Sequence, residues 1–174
     1  MRFRSTGSSI PIAVLLLATF AGLAAAQTPS PCSTPEARQF DFWLGEWALS
    51  WADSGRGTNT ISKELDGCVI RENFRAAGPK ALVGMSVSSF DARTKQWKQT
   101  WVDNQGGYLD FVGEFAGGTM TLWRDAIDPK GNPVRQRMVF LNIERDSFDW
   151  NWQRSRDSGA TWETMWAIKY RRRA

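Results

Sequence analysis

The chain has no histidine, and that absence removes more chemistry than any other feature of its composition. Without an imidazole, no Ser-His-Asp or Cys-His arrangement can activate a nucleophile. Carboxylates alone can hold a cation, but no Asp/Glu spacing resembles a calcium loop, and the turn Asp128–Pro133 has too few ligands. No metal and no cofactor are therefore expected. Long apolar runs are also missing beyond Ile10–Leu23, and no later segment reads as a helix long enough for a βαβ crossover.

That one apolar run belongs to a leader. Arg2 and Arg4 form a positive n-region, Ile10–Leu23 the apolar core, and Ala24-Ala25-Ala26 a small-residue cleavage pattern, so residues 1–26 read as a signal peptide. An uncleaved anchor would need roughly 20 apolar residues, so no stable membrane span is expected after cleavage. Removing 26 residues from 174 leaves 148, one domain's worth. With Arg2 and Arg4 gone, 20 Lys and Arg face 18 Asp and Glu. Three of those cations, Arg171 to Arg173, form a terminal tail rather than a clustered face, so no nucleic-acid partner is expected. Nothing in the sequence sets the oligomeric state.

Cysteine is scarce too. Cys32 and Cys68 would enter an oxidising compartment, periplasmic or secreted, where pairing is the default for two exported thiols. A Cys32–Cys68 bond would tie the Pro-rich leader TPSPCSTPE to the fold, a constraint that stabilises by roughly 3–4 kcal/mol in the chain-entropy account.

Residues 27–34 read as a linker and 35–174 as the folded domain. Thr34-Pro35 resembles a helix start, and Phe40, Trp43 and Leu44 fall at i, i+3, i+4, predicting a short helix over Pro35–Leu44 that ends at Gly45. From Trp47 the period changes to two. Ten alternating segments follow, beginning with Trp47–Trp51, Thr58–Leu65 and Cys68–Arg75, the last two joined by Asp66-Gly67 as a two-residue hairpin. Leu82–Phe90, Gln96–Asp103, Tyr108–Phe115, Thr119–Ala126, Val134–Ile143, Phe148–Arg154 and Thr161–Arg171 complete the set. Even spacing and short connections predict an all-β fold, a single up-and-down antiparallel β-barrel of about ten strands. Closure also removes the exposed edges that so aromatic a sheet could not leave open.

Parity then assigns faces. Trp97, Gln99, Trp101 and Asp103 share one face; so do Phe148, Trp150, Trp152 and Arg154; so do Trp162, Thr164, Trp166, Ile168 and Tyr170. Ten tryptophans mixed with Gln, Ser and Glu look more like a ligand-holding lumen than a core packed with Leu, Ile and Val. Ile70, Glu72 and Phe74 alternate with polar residues, which turns Glu72 inward, and Ser86 and Ser88 face in on the next strand. The expected lumen set is Glu72, Ser86, Ser88, Trp97, Gln99, Trp101, Asp103, Trp150 and Trp152. Glu72 is the sharpest residue of the set, because a carboxyl in an apolar barrel has its pKa raised unless a cation such as Arg154 or Arg124 pairs with it. Ser155–Trp162 fits the Asp-box pattern S-x-D-x-G-x-T-W. A single copy in a chain too short for a propeller reads as a structural turn built by Asp157, Gly159 and Trp162.

Gly45-x-Trp47 on the first strand resembles the calycin superfamily of lipocalins, fatty-acid-binding proteins and nitrobindins. That resemblance implies a Trp47 packed in the barrel base beneath a basic residue of the last strand, here Lys169, Arg171 or Arg172. The wider pattern FDFWLGEW, LDGCVIRENF, GMSVSSFD and QWKQTWVDNQGGYLDF looks like a bacterial exported barrel family of unknown function, over nearly all of residues 35–172. It brings a ten-stranded barrel with a lumen and no reaction. Nitrobindins hold haem through a histidine that this chain lacks, which would leave Tyr108, Tyr170, a Met or a Cys as the axial group. Three functions stay open: a lumen binding a small apolar or amphipathic ligand, a cofactor-free isomerase, cyclase or hydrolase using Glu72 and Asp103 as acid and base, and a structural barrel with a filled core.

Overall fold

The computed structural model describes residues 32–173, so the expected leader, most of the linker and Ala174 lie outside the described residues. Ten strands form a closed antiparallel barrel: β1 (Gly45–Trp51), β2 (Gly55–Glu64), β3 (Val69–Ala76), β4 (Val83–Asp91), β5 (Gln96–Asp103), β6 (Tyr108–Ala116), β7 (Thr119–Ile127), β8 (Pro133–Leu141), β9 (Ser147–Ser155) and β10 (Glu163–Arg172). Each strand pairs with its sequence neighbours, and β1 closes on β10 with Trp47 opposite Arg172 and Ser50 opposite Lys169. Among the described residues no helix is long and apolar enough to cross a membrane.

The predicted short helix forms as two consecutive 3-10 turns, Glu36–Arg38 and Asp41–Trp43. Thr34 Oγ1 accepts the Ala37 N–H at 3.3 Å, as a start signal should. The chain then breaks at Phe40 (φ −91°, ψ 4°), and the break is what lets the segment plug one end of the barrel. Phe40 and Trp43, eclipsed at i and i+3, are both fully buried. Phe40 meets Trp97 edge-on at 4.8 Å, and Trp43 meets Phe140 at 5.1 Å. Lys63 of β2 holds Asp41 at 2.6 Å, and the Cys32–Cys68 disulfide fastens the segment to the β2–β3 connection.

That connection differs from the expected two-residue hairpin. Leu65, Asp66 and Gly67 all take positive φ, and Cys68 N–H donates to the Leu65 carbonyl, which makes a longer turn. Beneath the plug lies Trp47, wholly buried, its Nε1 donating to the Trp43 carbonyl at 2.7 Å. Of the three cationic candidates, Arg172 covers it, 4.2 Å above the ring. Arg172 also donates to the carbonyls of Leu44, Phe42 and Arg145, which knits the plug to the last strand. Gly45 permits this contact: a Cβ there would stand 2.6 Å from Arg172 Nη1. Lys169 points elsewhere, toward Asp149, and Arg171 is exposed.

A further departure lies in β10. The register slips between Thr164 and Trp166, so the residues before this bulge change faces. Trp166, Ile168 and Tyr170 point inward as parity requires, whereas Thr164 pairs with Gln153 and Trp162 lies outside under Arg137, whose guanidinium is 3.9 Å from the ring. The Asp box closes as a turn. Ser155 Oγ accepts Gly159 N–H, Asp157 accepts Thr161 N–H and Oγ1–H, and Trp162 Nε1 donates to the Gly159 carbonyl.

Candidate functional site

The unplugged half of the barrel encloses a cavity of about 240 Å³. Its wall is aromatic: Phe74, Trp101, Phe111, Trp150, Trp152 and Trp166, with Trp43, Phe140 and Tyr170 toward the plug and Leu82, Asp103 and Leu109 toward the open end. Gly84 of β4 makes room for one of these rings, since a Cβ there would come within 2.2 Å of Trp101 Cζ2. An engineered cavity of about 150 Å³ accepts benzene, so this space suits a one- or two-ring apolar body or a short branched chain.

Glu72 is the buried carboxyl of this wall, 6% exposed. On its own strand it sits between Ile70 and Phe74, and across the sheet it pairs with Ile61 and Ser86. Asn59 Nδ2 donates to its Oε1 at 2.7 Å, and Ser86 Oγ donates to its Oε2 at 2.6 Å. Neither expected arginine reaches it: Arg154 pairs with Glu163 at 2.9 Å, and Arg124 donates to Gln136 at 3.3 Å. Burial therefore dominates, and despite the donors Ser86 and Asn59 it pushes the Glu72 carboxyl from 4.5 up to about 7. Asn59 Nδ2 also donates to Tyr170 Oη at 3.2 Å. Burial, then the Glu72 charge, raises the Tyr170 hydroxyl far above its usual range, so Tyr170 stays a neutral O–H. Two buried polar atoms here have no hydrogen-bond partner among the described residues, Asn59 Oδ1 and Trp43 Nε1.

Asp103, the second carboxyl of the cavity wall, behaves in the opposite way. It accepts Trp101 Nε1–H at 2.9 Å and the Gln105 and Gly107 amides. These donors, Trp101 first, hold it below the usual carboxylate range. It is a fixed anion that shapes the β5–β6 turn.

Five of the nine residues expected in the lumen thus line the cavity: Glu72, Trp101, Asp103, Trp150 and Trp152. Of the other four, Ser88, Gln99 and Trp97 lie nearer the plug, and Ser86 is level with Glu72 and Trp101. Ser86 is buried and reaches the site only through Glu72, while Gln99 Nε2 donates to Ser88 Oγ at 2.9 Å in a closed pair. Trp97 packs on Phe40 and Phe90 and donates to Gln39 Oε1. Parity gave the face of each of these residues but not its depth, and depth decides between wall and core. Sequence reasoning passed over Asn59, although its alternation with Ile61 inside a Thr-rich strand was a usable signal. Of the candidate axial groups for haem, Tyr108 is exposed on the surface. Among the described residues no three His, Cys, Asp or Glu cluster as a metal site would require.

A protein family described as "Protein of unknown function (DUF1579)" matches residues 39–172, the whole barrel and most of its plug. No curated protein matches the chain.

Proposed function

We propose that this chain, which belongs to the DUF1579 family of proteins of unknown function, is an exported barrel that binds a small apolar or amphipathic molecule in its tryptophan-walled cavity. The observation that carries this reading is the pairing of an apolar aromatic wall with one buried, cation-free carboxyl, Glu72. A core filled for stability alone gains nothing from such a group, because burying a carboxyl without a cation is costly. A binding site gains orientation from it. Near neutral pH Glu72 is present in both forms, so it can donate to a ligand carbonyl or accept from a hydroxyl or amine. Trp43, on the same cavity wall, carries a buried Nε1 donor without a partner. The Arg172–Trp47 stack is the arrangement that a calycin-like carrier would have. The Cys32–Cys68 disulfide supports export to the periplasm or the medium. A pKa near 7 also suits proton transfer, but the second carboxyl, Asp103, is engaged by three N–H donors, so Glu72 is read as a ligand contact.

Native mass spectrometry of the exported protein should show a co-purifying molecule, and adding that molecule back to the emptied barrel should shift tryptophan fluorescence. Glu72→Gln should weaken it by 10- to 150-fold, the equivalent of about 1.5–3 kcal/mol for a charge-assisted hydrogen bond in a dry site. Unchanged affinity in Glu72→Gln, together with a stability loss of several kcal/mol, would make Glu72 a structural residue and remove the reading's main support.

A further inference from the structure

The open end of the barrel carries a row of inward polar residues that the cavity reading leaves unused. Arg124 of β7 lies opposite Gln136 of β8, and Gln136 lies opposite Arg154 of β9. Two residues nearer the plug on the same strands, Leu122, Met138 and Trp152 form the next inward layer. Same-face neighbours along a strand are about 6.6 Å apart, so the polar row sits one layer above a part of the wall, Met138 and Trp152, that lines the cavity. The Arg124 guanidinium is 5.9 Å from the ring of Phe111, another lining residue.

One charge in this row is not matched. Among the described residues no carboxylate pairs with Arg124, whose side chain donates to Gln136. Arg154 meets Glu163, but that partner's side chain is 61% exposed, and such solvent-facing pairs are weak and open to competition. Arg154 Nε, by contrast, is buried without a hydrogen-bond partner. Asp103, two strands from β7 on β5, stays anionic but is held by its own three N–H donors, and Glu163 of β10 is the carboxylate beside Arg154. The planar N–H forks of two guanidiniums suit the two oxygens of a carboxylate. With Arg154 already offset by Glu163, the net unmatched charge is that of one monoanion.

We propose that Arg124, Gln136 and Arg154 form an anion subsite for the carboxylate head of an amphipathic ligand whose apolar body fills the cavity below. This inference rests on the lumen-binding reading and adds a direction to it: the carboxylate head faces the open end, and the far end of the ligand faces Glu72. The test is isothermal titration of the intact mature protein with 1-naphthaleneacetate and with its neutral amide at neutral pH. The expected result is a preference for the carboxylate of about tenfold or more that shrinks as salt is raised, because part of the attraction is screened. Arg124→Gln and Arg154→Gln should each lower carboxylate affinity about tenfold while leaving the amide unchanged, which also reports that the variants fold. Equal binding of the two probes by the wild-type protein would overturn the subsite and leave the lumen reading standing. Binding of neither probe would overturn both.

Discussion

The two halves of this barrel are built from the same residue type on the same inward face, yet one is solid and the other hollow. At the plugged end Trp43, Trp47 and Trp97 are 1%, 0% and 2% exposed, and their rings interlock edge-on with Phe40, Phe140 and Phe148. At the open end Trp101, Trp150, Trp152 and Trp166 are only half-buried and stand around the cavity. They brace one another instead: Trp150 meets Trp166 at 5.7 Å, and Trp51 meets Trp166 at 5.3 Å, both edge-on. The difference comes from outside the sheet. The N-terminal segment inserts Phe40, Phe42 and Trp43 at one end, where they reach Phe115, Phe140 and Phe148, and among the described residues nothing comparable enters the other. An inward tryptophan is therefore core or wall according to whether a plug reaches it.

The largest expected effect tests the solid half. Trp47→Ala removes a fully buried ring, its hydrogen bond to Trp43 and the platform of Arg172. It should cost about 3–5 kcal/mol, as large aromatic truncations in cores do. Urea denaturation measures this, and a loss below about 1 kcal/mol would mean that the plugged end is not the stability centre of the barrel.

Glu72 tests the boundary between the halves. Its folded pKa of about 7 lies above the unfolded value of 4.5, so the native state holds the proton more tightly. The group's contribution is then most favourable below about pH 4.5 and declines as pH rises to about 7. Glu72→Gln keeps a neutral side chain whose Oε1 can still accept from Asn59 while its Nε2 donates to Ser86 Oγ. The variant should be more stable than wild type at pH 8 by up to about 3 kcal/mol, with the gap closing below pH 5. A gap that stayed constant across that range in paired urea titrations would show that Glu72 does not titrate in this window.

The smallest effect tests the hollow half. Trp152→Ala removes a ring already facing the cavity, so it should cost about 1–2 kcal/mol, less than a core truncation. Loss of stability as large as in Trp47→Ala would show that the open end is packed after all and that the comparison fails.

The barrel itself was legible in the residues. The period of two from Trp47 onward, the regular turns and the Gly45-x-Trp47 start gave ten strands and their inward faces, because alternation is a local consequence of strand geometry. The inward turn of Glu72 followed from Ile70 and Phe74 on either side. The bulge at Thr164/Trp166 was not legible, since one extra residue flips every side chain before it and leaves no compositional mark. The cationic row at the open end was hidden for another reason. Arg124, Gln136 and Arg154 are 12 and 18 residues apart in the chain and meet only through the register of three strands.

What the sequence determined alone was therefore period and, outside the bulged start of β10, face: which side chains turn inward, and that no imidazole chemistry is possible. What only the tertiary structure decided was depth and partnership. Trp97 became core and Trp152 wall because the plug reaches one and not the other. Glu72 stayed free of a cation because Arg154 and Arg124 sit beside Glu163 and Gln136. Both outcomes depend on where strands of distant sequence come to rest along the barrel axis, a distance that alternation along one strand does not encode.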